Sequence, residues 1–247
     1  MPVFPSGVGS PGRIRTKTGR LYNFFFGPNP QRVNIYLAEK GLSDVQRVIF
    51  NAPTGNTDWP PAEIAAISQT GSLPILLDEV GTKITQSLAI LEFLEDRYPV
   101  PDMRGSTAAA RARTREIVSV FDEALDAFAL WARYGSDLGG HDKSAYREVI
   151  KIGSDGYIQK LQLAERMIKQ TDFLAGDTVT IADCVAMALL HYTASFYDVP
   201  IPACCPQLTR WYDRFAARPS AVCHEYPATQ LRIARGLMEQ SSVAFPG

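Results

Sequence analysis

Residues 71–94 read GSLPILLDEVGTKITQSLAILEFL, and the fold turns on how this stretch is read. Pro74 enters an apolar run, Ile75-Leu76-Leu77, with the character of a buried strand. A proline there removes a ladder donor and restricts Leu73, which suits a strand edge or a cis bond in a tight turn. Asp78-Glu79-Val80-Gly81 is short enough to return the chain as a hairpin. Thr85-Gln86-Ser87 then precedes apolar residues at positions 88, 90, 91 and 94, a helical spacing. The stretch therefore carries a helix N-terminus where polar side chains and free backbone N–H groups converge, an arrangement able to hold a carboxylate.

Upstream, the aromatic run 21–26 (LYNFFF) reads as a strand. Gly27-Pro28-Asn29-Pro30 is a loop signal. A helix follows with Val33, Tyr36 and Leu37 on one face and stops at Lys40-Gly41. Residues 45–50 form a second strand, 51–61 a loop containing Trp59, and 61–67 a short helix. The order is β-α-β-α-β-β-α over residues 21–98, so the strands that alternate with helices are expected to pair in parallel, and the last two as a hairpin. Residues 1–20 are expected to be a flexible arm on the surface.

Residues 99–106 (PVPDMRGS) form a linker, and beyond it no strand pattern appears. Helical patterns cover 107–134, 144–170, 180–192, 206–217 and 227–238, an all-helical bundle domain assigned to residues 107–240. The fold class is thus α/β plus all-α. Thr180 sits three residues before Asp183 at the head of the most apolar helix, a capping box with Asp in place of Glu, so both residues are assigned structural roles.

The chain has 247 residues and a formal charge of -1, which excludes an electrostatic case for nucleic acid or an anionic membrane. No apolar run reaches the length of a membrane span, and a cytoplasmic location is expected. The cysteines are 184, 204, 205 and 223, without C-x-x-C spacing, so no metal site is expected and the four read as buried or half-buried free thiols. Any thiol chemistry in the first half needs a borrowed thiol.

Four motifs, GSLPIL at Pro74, ITQSLAILEFLEDRYP at 84–99, LAGDTVTIAD at 174–183 and PQLTRWYDRFAARPS at 206–220, together resemble the cytosolic glutathione transferase superfamily. The resemblance implies a thioredoxin-like N-terminal domain, a helical C-terminal domain, glutathione as substrate, no metal, and a homodimer. It implies that Pro74 is cis, that the Leu73 backbone pairs with the cysteinyl part of glutathione, and that Gln86 and Ser87 hold its γ-glutamyl end, with Trp59 bordering the site. The enzyme must stabilise the glutathione thiolate, whose free pKa lies near the cysteine value of about 8.5. Many family members use a Ser, Thr, Tyr or Cys after the first strand, but here that position is Gly27. The loop GPNPQRVNIYLAEKGL is similar to the nu-class and yeast-prion-like branch, which points to Asn29; Tyr22 and the backbone N–H groups of the loop are the alternatives. Phe121, Phe128, Trp131 and Tyr134 lie on the helix that lines the electrophile pocket in the family, and one or two of them are expected to face it. Arg32 is left between an acidic substrate and solvent. The implied reaction is conjugation of glutathione to a small electrophile; disulfide reduction, glutathione-assisted isomerisation (ITQSLAI is similar to the zeta class) and a non-catalytic binding module stand beside it.

Overall fold

The computed structural model describes residues 19–24, 27–50, 62–68, 70–222 and 225–237. The N-terminal arm to residue 18, Trp59, Cys223 and the last ten residues lie outside them.

Four strands form one sheet in the order β2-β1-β3-β4: β1 (Arg20–Phe24), β2 (Gln46–Phe50), β3 (Ile75–Leu77) and β4 (Lys83–Thr85). The period-2 alternation of side chains sorts them cleanly onto two faces. Leu21 and Leu76 enter the main core, whereas Tyr22 and Ile75 point to the opposite face and pack with Ile64 of the short helix α2 (Ala62–Ile67). Helices α1 (Pro28–Glu39) and α3 (Ser87–Arg97) supply Val33, Ile35, Tyr36, Leu37, Ile90, Leu91 and Leu94 to the main core.

β1 and β2 are parallel, as the alternation of strand and helix predicts. β3 is antiparallel to β1, which corrects the expectation that it would join them in parallel. A parallel third strand requires a crossover back along the whole sheet. α2 has six residues, and β3 instead sets out from the end of the sheet at which β1 and β2 finish. The β3–β4 hairpin is antiparallel, with Ile75 opposite Thr85.

The remainder is helical: α4 (Ala108–Gly135), α5 (Arg147–Met167), α6 (Ile181–Tyr197), α7 (Pro206–Ala216) and α8 (Ala228–Ala234). Thr107 caps α4 by accepting the Ala110 N–H at 3.1 Å. α4 and α5 pack closely because Gly153 has no side chain: a Cβ there would lie 2.6 Å from the Trp131 backbone nitrogen. The glycine that weakens the helical pattern of α5 is thus a contact residue between helices. α6 runs to Tyr197, beyond the expected end at 192, and closes on Asp198 in the left-handed region, φ 61°.

Asp183 does more than cap α6. Its Oδ2 accepts the Thr180 N–H at 2.9 Å and the Thr180 hydroxyl at 3.0 Å. Its Oδ1 accepts the Leu174 N–H and the Trp211 Nε1–H, both at 2.9 Å. Burial pushes this carboxyl's pKa up, and the four donors oppose the shift.

α1 lies between the sheet and the helical domain, and two ion pairs cross that boundary. Arg32, 1% exposed, donates from Nη1 to Asp122 of α4 at 2.7 Å. Glu39 receives Arg218 in a two-point contact, from Nε at 2.7 Å and Nη2 at 2.8 Å, and also accepts the Ser220 hydroxyl. The Arg218 guanidinium lies over the rings of Phe173 and Phe215, with centroids at 5.3 and 5.5 Å. Burial raises the Glu39 pKa, but Arg218 and Ser220 outweigh it and hold the carboxyl below its ordinary value. The sign follows from linkage: a carboxyl depressed in the folded state stabilises the fold above its unfolded pKa, and that contribution disappears as pH falls through the folded pKa. Glu39→Gln is expected to cost about 1 kcal/mol at neutral pH, discounted for the partly exposed Arg218, and less in acid. Urea unfolding at neutral and acid pH checks this; a cost that stays constant or grows towards acid pH contradicts it.

Candidate functional site at the end of the sheet

Three segments meet at one end of the sheet because of the strand register. Tyr22, near the exit of β1, is opposite Ile75 at the entry of β3, and Ile75 is opposite Thr85 at the exit of β4. The β1–α1 loop, the Leu73-Pro74 bond and the start of α3 must therefore converge there. The Leu73-Pro74 bond is cis, with Pro74 buried and Leu73 half-buried.

Gly27 precedes α1 with φ 95° and ψ 151°. Among the described residues, a side chain there would meet only the Pro30 ring carbon Cδ, at 3.9 Å, so these residues leave room for one. The positive φ is what favours glycine, because L-residues with a side chain rarely adopt it. This gives a backbone reason for a glycine at the position where the resemblance leads one to expect a serine or cysteine. Pro28 and Pro30 have no N–H, so Asn29 holds the first amide donor of the helix. α1 and α3 both lack an acidic residue in the first turn, and neither has a side chain capping its N-terminus. Both positive helix ends are therefore available to an anion.

Asn29 is exposed, and its Oδ1 accepts the Ser87 hydroxyl at 3.3 Å. Its amide nitrogen carries two further donors. Ser87 is 6% exposed and is the first residue of α3. Gln86 before it is exposed, at φ 72° and ψ 120°, an uncommon conformation for a residue with a side chain. Strain of this kind collects at ligand-binding positions. Beneath the loop lies Arg32, one turn along α1 from Asn29. Its guanidinium adds positive charge, partly neutralised by Asp122; burial lowers its pKa while Asp122, and then Asp126, raise it.

Two sequence models match the chain: the glutathione S-transferase N-terminal domain over residues 26–97 and the glutathione S-transferase C-terminal domain over residues 127–219. The chain belongs to the glutathione S-transferase superfamily. It is 28% identical to glutathione S-transferase 2 of Saccharomyces cerevisiae over 204 residues, covering 81% of this chain and 86% of that protein. It is 29% identical to a maleylacetoacetate isomerase of Pseudomonas aeruginosa over 222 residues, 85% of this chain and 97% of the isomerase. A solved glutathione S-transferase domain-containing protein from Marinobacter aquaeolei superposes with a TM-score of 0.70 at 27% identity, covering 82% of this chain and all of that one. The thioredoxin-like N-terminal domain and the helical C-terminal domain are those of the glutathione transferases.

Within this transferase fold, the other candidates fall in different places. The Tyr22 ring is 5% exposed and packs with Ile64, Ile75 and Phe50, a setting of hydrophobic core. Phe121 and Phe128 are fully buried and Trp131 is 8% exposed. Phe128 packs against Trp131, Tyr157, Tyr192 and Tyr197, so these rings are bundle core. Tyr134 is the partly exposed member of the four, stacked on His141 at 4.9 Å and beside Tyr146 at 4.6 Å. The helical spacing of these aromatics is the same for a core face and a pocket face, and burial separates them. Arg32 does not point to solvent: it is 1% exposed, and its Nη1 is held by Asp122. No sequence signal pairs two residues ninety positions apart. Among the described residues, no group of three His, Cys, Asp or Glu is placed to hold a metal ion, and no helix is long and apolar enough to cross a membrane.

Ser87→Ala removes a hydroxyl that touches Asn29 and sits at a free helix end. Losing one hydrogen bond to a charged group costs about 1.5–3 kcal/mol, so the Kd for glutathione is expected to rise about 10- to 100-fold. Isothermal calorimetry with glutathione reads this; an unchanged Kd would remove Ser87 from the site.

Proposed function

We propose that this chain conjugates the thiolate of glutathione to small, hydrophobic electrophiles. Glutathione lies across the sheet end, with its backbone against Leu73-Pro74 and its γ-glutamyl end at Gln86 and Ser87. Its sulfur lies near Asn29. The observation that carries the reading is the 3.3 Å contact between Ser87 and Asn29, which joins the helix end that takes the γ-glutamyl group to the loop that faces the thiol.

The chemistry asks little more of the protein. A thiolate is intrinsically nucleophilic, so lowering the glutathione pKa and holding an electrophile beside it suffices. The Asn29 amide donates to the sulfur anion, and the uncapped α1 N-terminus and the buried Arg32 favour its charge. The electrophile rests against the helical domain on the α4 side, where Tyr134 is the accessible aromatic. The protein acts as a cytoplasmic homodimer in this reading.

A second reading, glutathione-assisted isomerisation, is favoured by the 29% identity that extends over 97% of the isomerase. It uses the same thiolate, added reversibly to a conjugated double bond. Disulfide reduction through glutathione is a further alternative; it uses the same thiolate and suits the branch that the Asn29 loop resembles.

Chlorodinitrobenzene conjugation, measured beside hydroxyethyl disulfide reduction, tests the proposal. Conjugation is expected, and Asn29→Ala should lower its kcat/KM about 10- to 100-fold, the loss of one charge-assisted hydrogen bond. Turnover in neither assay, with glutathione still bound, would overturn the transferase reading in favour of a non-catalytic glutathione-binding module.

A further inference from the structure

The connection from α6 to α7 reads VPIPACCP over residues 199–206. Cys204 is exposed and Cys205 is buried, which departs from the expectation that all the thiols would be at least half-buried. Their sulfurs are 3.9 Å apart. The turn that carries them is fixed from several sides. The Cys205 N–H donates to the Pro202 carbonyl at 2.9 Å, and the Cys205 carbonyl takes the N–H and the hydroxyl of Thr209, both at 3.0 Å. Pro206 opens α7 and restricts the Cys205 backbone. Gln162 of α5 donates from Nε2 to the Cys204 sulfur at 3.6 Å. The backbone thus holds the two thiols side by side, Cys204 at the surface and Cys205 directly beneath it.

Two ordinary uses of a cysteine pair are disfavoured here. Neighbouring Cα atoms are about 3.8 Å apart across a trans peptide, short of the roughly 4.4–6.8 Å that a disulfide spans. Thiolate chemistry is disfavoured because burial, then Cys204 and the Glu165 carboxylate, push the Cys205 thiol up to about 12. The α7 N-terminus gives no relief, because Glu165 already occupies it, accepting the Gln207 N–H at 3.0 Å and the Leu208 N–H at 2.8 Å. A neutral dithiol held in place suits a soft centre that binds two sulfurs without building charge.

We propose that Cys204 and Cys205 form a capture site for trivalent arsenicals of the type R–As(OH)2 or its anhydride R–As=O. The anhydride first adds one water to give R–As(OH)2; two As–S bonds then form as two As–OH bonds break, each thiol proton leaves with a hydroxide as water, and arsenic stays trivalent. No oxidant, reductant or net charge is involved. The exposed Cys204 reacts first, and the neighbouring Cys205 then closes the ring intramolecularly at a high effective concentration. The site shares no residue with the sheet end where glutathione is placed. Free glutathione offers one thiol per molecule and so competes poorly with the pair.

Phenylarsine oxide, added to the full chain in the presence of excess glutathione and followed by intact-mass measurement, tests this. One adduct per chain is expected, stable to glutathione and released by 2,3-dimercaptopropanol. Cys204→Ser, a change at an exposed side chain, should weaken capture about 10²- to 10⁴-fold with the melting temperature unchanged. Cys184→Ser and Cys223→Ser should leave capture intact. An adduct that glutathione strips from the wild-type chain, one that persists in Cys204→Ser, or one lost in Cys223→Ser would overturn the proposal.

Discussion

Glu95 lies fully buried on α3, and its Oε1 accepts the Tyr36 hydroxyl and the Lys40 ammonium of α1, both at 2.6 Å. Eight residues separate Ser87 from Glu95 and seven separate Asn29 from Tyr36, so the Tyr36–Glu95 contact stands roughly 11–12 Å from the start of either helix. Two helices pinned at equal depth and running in the same direction must also begin at the same level. That is why Asn29 and Ser87 meet. A buried ion pair seldom adds net stability over an apolar pair, but breaking one is costly, and its best-attested service is to define register. The same carboxylate accepts the Met103 N–H at 3.1 Å, and Lys40 also donates to the Pro101 carbonyl, so the linker is bound into the arrangement. The Met103 carbonyl in turn takes the Ile181 N–H at the head of α6. One buried carboxylate thus sets the register of the site and ties it to the helical domain.

The boundary between the domains extends this logic. Arg32 and Glu39, on the face of α1 that meets the helical domain, reach Asp122 and Arg218. α1 therefore cannot shift relative to the sheet without breaking contacts on its other side. Gly27 enters this helix at positive φ, and the first turn of α1 carries Asn29 to the Ser87 hydroxyl. Two helix ends without acidic caps, a buried guanidinium and an amide converge on a region suited to an anion. Preorganised donors of this kind stabilise charge without reorganising when it develops.

Much of this was legible in the residues. The proline before Ile75-Leu76-Leu77, the helix start at Ser87 and the Thr180–Asp183 box are local signals, set by backbone chemistry within a few positions. The structure places the cis bond at Pro74 and the cap at Thr180 where those signals put them. The antiparallel run of β3 was not legible, because periodicity reports a strand and not its direction. Nor were the aromatics of α4 separable into core and pocket, since one helical stripe serves both. Long-range pairs such as Arg32 with Asp122 and Trp211 with Asp183 have no local signature at all. The glycine at position 27 looked like a missing catalytic group; its φ of 95° gives a backbone reason for it.

The proposed reaction requires that this sheet end lower the pKa of bound glutathione through the Asn29 loop. Thiolate absorbance of the glutathione complex, titrated against pH, reads that quantity directly. A bound pKa below the free thiol value of about 8.5 is expected, moving back towards it in Asn29→Ala. A bound thiol that titrates at its free value in the wild-type protein, or an unchanged titration in the variant, would contradict it.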